Sequence, residues 1–163
     1  MAWETKNREA ALCDREHLMI IRPSGVVVQD RHLLVMCYRY GARDRFNLPG
    51  GNLEPGEEVT ACLMREFAEE LDLEITVGDL CCCAETVINA RHVLHLVFQI
   101  ETTTGTPCLN PAQTRAVQVQ WIPFDAVGTA PLYPGIAPAL AAWLSGDRRT
   151  PRYLGRVQQE WFV

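Results

Sequence analysis

Gly51-Asn52-Leu53-Glu54-Pro55-Gly56-Glu57-Glu58 runs directly into Val59-Thr60-Ala61-Cys62-Leu63-Met64-Arg65-Glu66-Phe67-Ala68-Glu69-Glu70-Leu71. The first part is dense in Gly and Pro, which excludes a regular element. The second has neither and is rich in Ala, Leu, Met, Glu and Arg, so it predicts a helix over 59–71. On that helix Glu66, Glu69 and Glu70 stand at i, i+3 and i+4. At about 100° per residue they share roughly one quadrant of the surface. Leu63, Phe67 and Leu71 recur at i, i+4 and i+8 on the adjoining arc. One side of the helix therefore packs, and its neighbour presents three carboxylates.

Three neighbouring carboxylates repel one another, and a hard divalent cation with oxygen preference offsets that. Taken alone, the same pattern also describes a solvated acidic face balanced by Arg65. The flanking residues favour the cation. Leu48-Pro49-Gly50-Gly51 stands just before the helix, where glycines let backbone approach a ligand and leave carbonyls free to bind it. Arg65 can bind Glu57 and tie the loop to the helix.

At these residues the sequence resembles the Nudix hydrolase family, whose signature reads G-x5-E-x7-R-E-U-x-E-E-x-G-U with U an aliphatic residue. Gly51, Glu57, Arg65, Glu66, Glu69, Glu70 and Leu73 match it, and Leu48-Pro49-Gly50 matches the usual lead-in. Two positions depart from it. Phe67 stands at an aliphatic position, and Asp72 stands where the last glycine is usual. Asp tolerates a left-handed helix exit less well than Gly but better than most residues. The close resemblance spans residues 48–73, and the order of strands extends it loosely over most of the chain.

The resemblance implies an α/β/α sandwich with a mixed β-sheet and a dependence on Mg²⁺ or Mn²⁺. It implies that Glu66, Glu69, Glu70 and the Gly50 carbonyl hold metal. Arg65 would orient the set through Glu57, with Gly51 as a structural residue of the box. The implied reaction is hydrolysis of a phosphoanhydride in a nucleoside diphosphate linked to another moiety: a nucleotide sugar, an ADP-ribose-like compound, a dinucleoside polyphosphate or a (d)NTP. The metal lowers the pKa of water and offsets phosphoryl charge, while a carboxylate takes the proton. That carboxylate lies in the box or on a later segment, where Glu85 and Glu101 are the candidates. The alternative is a Nudix domain that senses a nucleotide derivative without turnover.

For substrate, Tyr38, Tyr40 and Phe46 offer stacking faces, and Arg22, Arg39, Arg43 and Arg45 offer phosphate contacts. His92 and His95 read as structural. The window Val87-Ile88-Asn89-Ala90 carries neither the proline of ADP-ribose enzymes nor the tyrosine of dinucleoside polyphosphate enzymes.

Outward from the box, 18–29 predicts a strand interrupted near Pro23 and Gly25, and 33–40 a returning strand. Residues 41–47 read as a loop. Strands are expected over 80–88, 93–101 and 117–122, with a loop over 102–113 and an Ala-rich helix over 136–144. Residues 1–17 read as an N-terminal arm or short helix, and 18–163 as a single domain.

The chain has 163 residues, 48% of them hydrophobic, with a net charge of −5. These values fit one domain with a real core and argue against a nucleic-acid binder. Lys6 is the sole lysine beside the arginines. The seven cysteines form no C-x-x-C pair and read as small buried hydrophobes in a reducing cytoplasm. The N-terminal residues lack the pattern of a signal peptide, and no apolar run approaches the roughly 20 residues of a membrane span. The expected partner is a small nucleotide derivative rather than nucleic acid or membrane, and the resemblance is compatible with a homodimer.

Overall fold

Helix α1 occupies Val59–Leu71, the bounds its composition sets. It ends where Asp72 turns left-handed at φ 53° and ψ 40°. There the Asp72 and Leu73 N–H groups donate to the Ala68 and Phe67 carbonyls, each at 3.2 Å. Asp72 thus performs the glycine's turn, at a backbone cost that the two hydrogen bonds and burial of Leu73 offset. The computed structural model describes residues 19–147, 149 and 152–158, so the arm expected over 1–17 lies outside the described residues.

Two sheets carry the helix. In the first, β1 (Ile20–Val26) lies parallel to β6 (Arg91–Thr104), which pairs antiparallel with β5 (Glu74–Ile88), and β9 (Tyr153–Arg156) runs parallel to β5. The second is centred on β3 (His32–Tyr40), flanked by β2 (Val28–Gln29), β4 (Arg43–Asn47) and β7 (Gln118–Pro123), with β8 (Leu132–Tyr133) parallel to β4. Two further helices, α2 (Phe124–Val127) and α3 (Ala137–Leu144), follow β7 and β8.

Strand β3 explains the layering. Successive side chains point to opposite faces of a strand. Leu33 and Val35 enter one core with Leu140 of α3, while Leu34 and Met36 enter another with Leu63, Phe67 and Leu71 of α1. Burial on both faces accounts for the unbroken apolar run. The result is an α/β/α sandwich with mixed sheets.

Several expectations need correction. The strand is not interrupted near Pro23 and Gly25: β1 passes through both. It tolerates proline because β1 is an edge strand, paired only with β6 in its sheet. Gly25 is required because a Cβ there would lie 2.7 Å from Phe67 Cζ. Residues 43–47 form strand β4, where a loop is expected, because Phe46 packs into the α3-side core while Arg45 and Asn47 point to the opposite face of the strand and line a cavity there. Strand β5 begins at Glu74 rather than 80, and irregular pairing between Thr76 and Cys82 breaks its periodicity. That irregularity lets Cys81 and Cys82 both be buried. Among the described residues, no helix is long and apolar enough to cross a membrane.

The outer edge of β1 positions the box. The Gly25 N–H donates to the Pro49 carbonyl and the Leu53 N–H to the Ile21 carbonyl, each at 2.9 Å. Between these bonds stands Pro23, which has no N–H to leave unpaired. Gly50 lies against it with φ +139°, and a Cβ there would collide with the Pro23 carbonyl. The edge strand thus clamps the loop that leads into α1.

Candidate active site

Arg65 organises the acidic face. Its Nε donates to Glu57 Oε1 at 2.8 Å and its Nη2 to Glu57 Oε2 at 3.0 Å. Its Nη1 reaches Glu66 Oε1 at 2.9 Å and Glu69 Oε2 at 3.2 Å. The Arg65 hydrogen bonds hold the Glu57 carboxyl down to about 2, with help from the Glu54 backbone. Glu57 therefore stays ionised, and the same contacts hold Arg65 firmly charged.

Two glycines make room. A Cβ on Gly51 would collide with the Glu66 carboxyl, so that carboxylate lies directly over bare backbone. The Gly50 carbonyl accepts a 2.7 Å bond from Arg22 Nη2, which leaves its second lone pair.

Glu70 differs from the other two glutamates of the helix face. It is only 8% exposed, and its Oε2 is buried without a hydrogen-bond partner. Burial pushes its pKa up. A buried carboxylate oxygen without a partner is unfavourable unless a cation meets it.

Among the described residues, no three His, Cys, Asp or Glu side chains converge as a metal-holding group. Glu66 and Glu69 are instead drawn onto Arg65. The donor set still fits a hard cation: an orphaned Glu70 oxygen, a Glu66 carboxylate cradled over Gly51, and a backbone carbonyl at Gly50. Gly50, Gly51, Glu66 and Glu70 line one cleft of ≈ 730 Å³.

That cleft adjoins a second cavity of ≈ 490 Å³, and Arg22, Tyr38 and Asn52 line both. The second cavity adds Tyr40, Arg45 and Tyr133. Of the substrate residues expected from sequence, the structure brings Arg22, Tyr38, Tyr40 and Arg45 to these spaces. It does not bring Arg39, which pairs with Asp44 on the exposed hairpin at 2.9 Å, or Phe46, which packs into the core. Neither Glu85 nor Glu101 lines either space. Glu85 accepts a 2.6 Å bond from the Tyr153 hydroxyl and lies 2.7 Å from His92 Nε2, which ties β9 to β5. The Glu101 side chain lies over Gly78.

Sequence reasoning missed Asn52, Thr114 and Tyr133. Asn52 occupies a variable position of the box and Thr114 an irregular loop, so neither periodicity nor motif marks them. Tyr133 stands in the Pro-rich segment before α3. There Thr86 Oγ1 lies 3.4 Å from the Tyr133 hydroxyl and 2.9 Å from His95 Nε2.

The sequence matches the NUDIX domain family over residues 18–144. No curated protein matches the chain. Among solved structures, the ORF135 protein of E. coli superposes with a TM-score of 0.69 at 22% identity, covering 82% of this chain and 94% of that one. A MutT NUDIX hydrolase from Burkholderia pseudomallei gives 0.59 at 22% identity, over 66% and 85% of the two chains. An ADP-ribose pyrophosphatase from Streptococcus suis gives 0.56 at 18%, over 85% and 98%. These likenesses establish the fold, and the family match covers the box and both cavities. The chain therefore belongs to the NUDIX domain family.

Proposed function

We propose that the chain hydrolyses a phosphoanhydride in a nucleoside diphosphate derivative, with Mg²⁺ or Mn²⁺ held by Glu66, Glu69, Glu70 and the Gly50 carbonyl. The observation that carries this reading is the buried, unpartnered Glu70 Oε2 beside Gly50 and Glu66 in one cleft. Bound there, the cation offsets phosphoryl charge and makes water a stronger acid.

The chain's own groups do the rest. Arg65 fixes the directions of Glu66 and Glu69 through its fork on Glu57. Arg22, which lines both spaces, holds a diphosphate oxygen at their junction. Tyr38, Tyr40 and Tyr133 offer ring faces to the nucleoside in the second cavity. Water oxygen bonds to phosphorus, the bridging P–O bond breaks, and the water proton passes to a carboxylate of α1. Glu85 and Glu101 are set aside as proton acceptors because they line neither space. The structural neighbours include a MutT NUDIX hydrolase and an ADP-ribose pyrophosphatase, whose names belong to the same broad chemistry.

The test is a panel of ADP-ribose, nucleotide sugars, dinucleoside polyphosphates and (d)NTPs with Mg²⁺ or Mn²⁺, with products identified by ³¹P NMR. Metal-dependent cleavage of a phosphoanhydride that Glu70→Gln abolishes supports the assignment. Equal turnover by parent and variant overturns it.

A further inference from the structure

The walls of the second cavity carry one sign of charge. Arg22, Arg45 and Arg91 line it, and among the described residues no Asp or Glu does. In a chain with 20 acidic and 15 basic side chains, a wall free of carboxylates runs against composition. The three arginines come from β1, β4 and the start of β6, so no single strand or charged run brings them together. Three cations around one concave space repel one another and focus a positive field into it.

The fold sets their places. Arg22 Nη2 donates to the Gly50 carbonyl at 2.7 Å, and Arg45 Nη1 to the Asp44 carbonyl at 2.9 Å. Each of these bonds uses one of five N–H donors. Arg91 follows the turn Asn89-Ala90, whose φ angles of 48° and 64° close the β5–β6 hairpin. Two carboxylates close by in sequence are engaged away from the cavity. Asp44 takes Arg39 at 2.9 Å and 3.4 Å, and Glu85 holds Tyr153 and His92.

The arginines divide by what they reach. Arg22 lines both spaces, so it stands at the junction, where the hydrolytic reading puts the scissile diphosphate. Arg45 and Arg91 line only the second cavity. A neutral nucleoside has ring faces to meet there, yet it offers neither guanidinium a charge. A phosphate monoester carries nearly two negative charges at neutral pH, and its oxygens match the guanidinium fork.

We propose that the second cavity binds a phosphate additional to the scissile diphosphate, recognised by Arg45 and Arg91. The substrate is then a nucleoside diphosphate derivative with a further phosphate, on the ribose or at the end of a longer 5′ chain. The place of the diphosphate rests on the hydrolytic reading.

The test measures nucleotide binding to the full chain in EDTA by isothermal titration calorimetry, so that the arginines are read without a cation. Adenosine and guanosine probes are compared in pairs that differ by one phosphate. The ribose pair is the 5′-monophosphate against the 2′,5′- and 3′,5′-bisphosphates. The chain pair is the 5′-diphosphate against the 5′-triphosphate. In one pair the added phosphate is expected to tighten binding roughly tenfold, and that pair identifies its source. In Arg45→Gln and Arg91→Gln the ratio should fall to within about twofold. A merely structural role would weaken both members of a pair alike and keep their ratio. Ratios near one in both parental pairs overturn the proposal, as do ratios that survive in both variants or a parent that binds no probe. Should one variant fail to fold, the other decides. Metal-dependent cleavage without these ratios removes this proposal alone. The ratios without cleavage of any substrate keep the anion site and remove the hydrolytic reading.

Discussion

Arg65 grips Glu57 with two bonds, Nε to Oε1 at 2.8 Å and Nη2 to Oε2 at 3.0 Å, and so ties the loop before α1 to the helix itself. The same guanidinium spends its third nitrogen on Glu66 and Glu69. Only a planar fork can serve a bidentate partner and two further carboxylates at once. Arg65→Lys keeps the charge and loses the fork. It should lower kcat/KM by roughly 10- to 100-fold, the range typical of groups that orient metal ligands. Steady-state kinetics with a parallel metal titration decide it, and a fully active lysine variant removes the positioning role.

The low Glu57 pKa, about 2 and caused first by the Arg65 hydrogen bonds, adds a pH prediction. A depressed carboxyl contributes to stability above its unfolded value and loses that contribution only as pH falls toward its folded value. Glu57 therefore does not titrate between pH 4 and 9. The acidic limb of the activity profile should keep its midpoint in Glu57→Gln, even as the rate drops. A shifted midpoint would assign that limb to Glu57.

Glu70→Gln separates function from stability. The parent buries an ionisable oxygen without a partner, and the amide removes that charge. In EDTA the variant should melt at or above the parent temperature, as expected where a functional group is held at a cost to the fold. The rise in Tm on adding Mg²⁺ or Mn²⁺ should shrink or vanish, because that rise reports binding to the folded state. Thermal scans with and without metal check both halves. An equal metal-induced rise in both proteins contradicts the ligand assignment.

Two glycines give a contrast within one experiment. Gly41 has φ +61° with nothing within 4 Å of an added Cβ, so Gly41→Ala should cost about 1 kcal/mol from backbone strain alone and leave turnover intact. Gly51→Ala drives a methyl into the Glu66 carboxyl. Its loss of turnover should be much larger than its loss of Tm suggests. Comparable kinetics for the two variants would mean that Glu66 need not lie over Gly51.

The box was legible because its chemistry is local. Helix α1, the Arg65–Glu57 pair and the bare backbone at Gly51 all follow from residues 51–73, where spacing fixes geometry. What lay beyond reach depends on distant partners. Strand β4 is polar in composition and becomes a strand only by pairing with β3 and seating Phe46. Pro23 reads as a breaker until β1 is known to be an edge whose free side holds Leu53 and Pro49. Thr114 carries no sequence signal, because it reaches the cleft through a loop that docks on the end of α1. Arg39 and Arg45 look equivalent in sequence. The alternation of side chains across the hairpin sends one to Asp44 in solvent and the other to the cavity.

His95 supplies the last prediction. It is 1% exposed, its Nε2 lies 2.9 Å from Thr86 Oγ1, and its ring meets Tyr133 edge-on at 5.3 Å. Burial first, and the charge of Arg22 second, push its pKa down to about 4. The unfolded chain takes up a proton near pH 6.5, which the folded chain refuses until about pH 4. Stability is therefore fully present above 6.5 and declines as pH falls through that window, by about 3 kcal/mol in all at about 1.36 kcal/mol per unit. Urea unfolding at pH 7, 5.5 and 4.5 should show this slope in the parent and a flatter one in His95→Gln. Parallel slopes would mean that His95 protonates alike in both states. Because Thr86 joins His95 to Tyr133 on the wall of the second cavity, protonation of His95 near pH 4 should disturb that wall and weaken nucleoside binding.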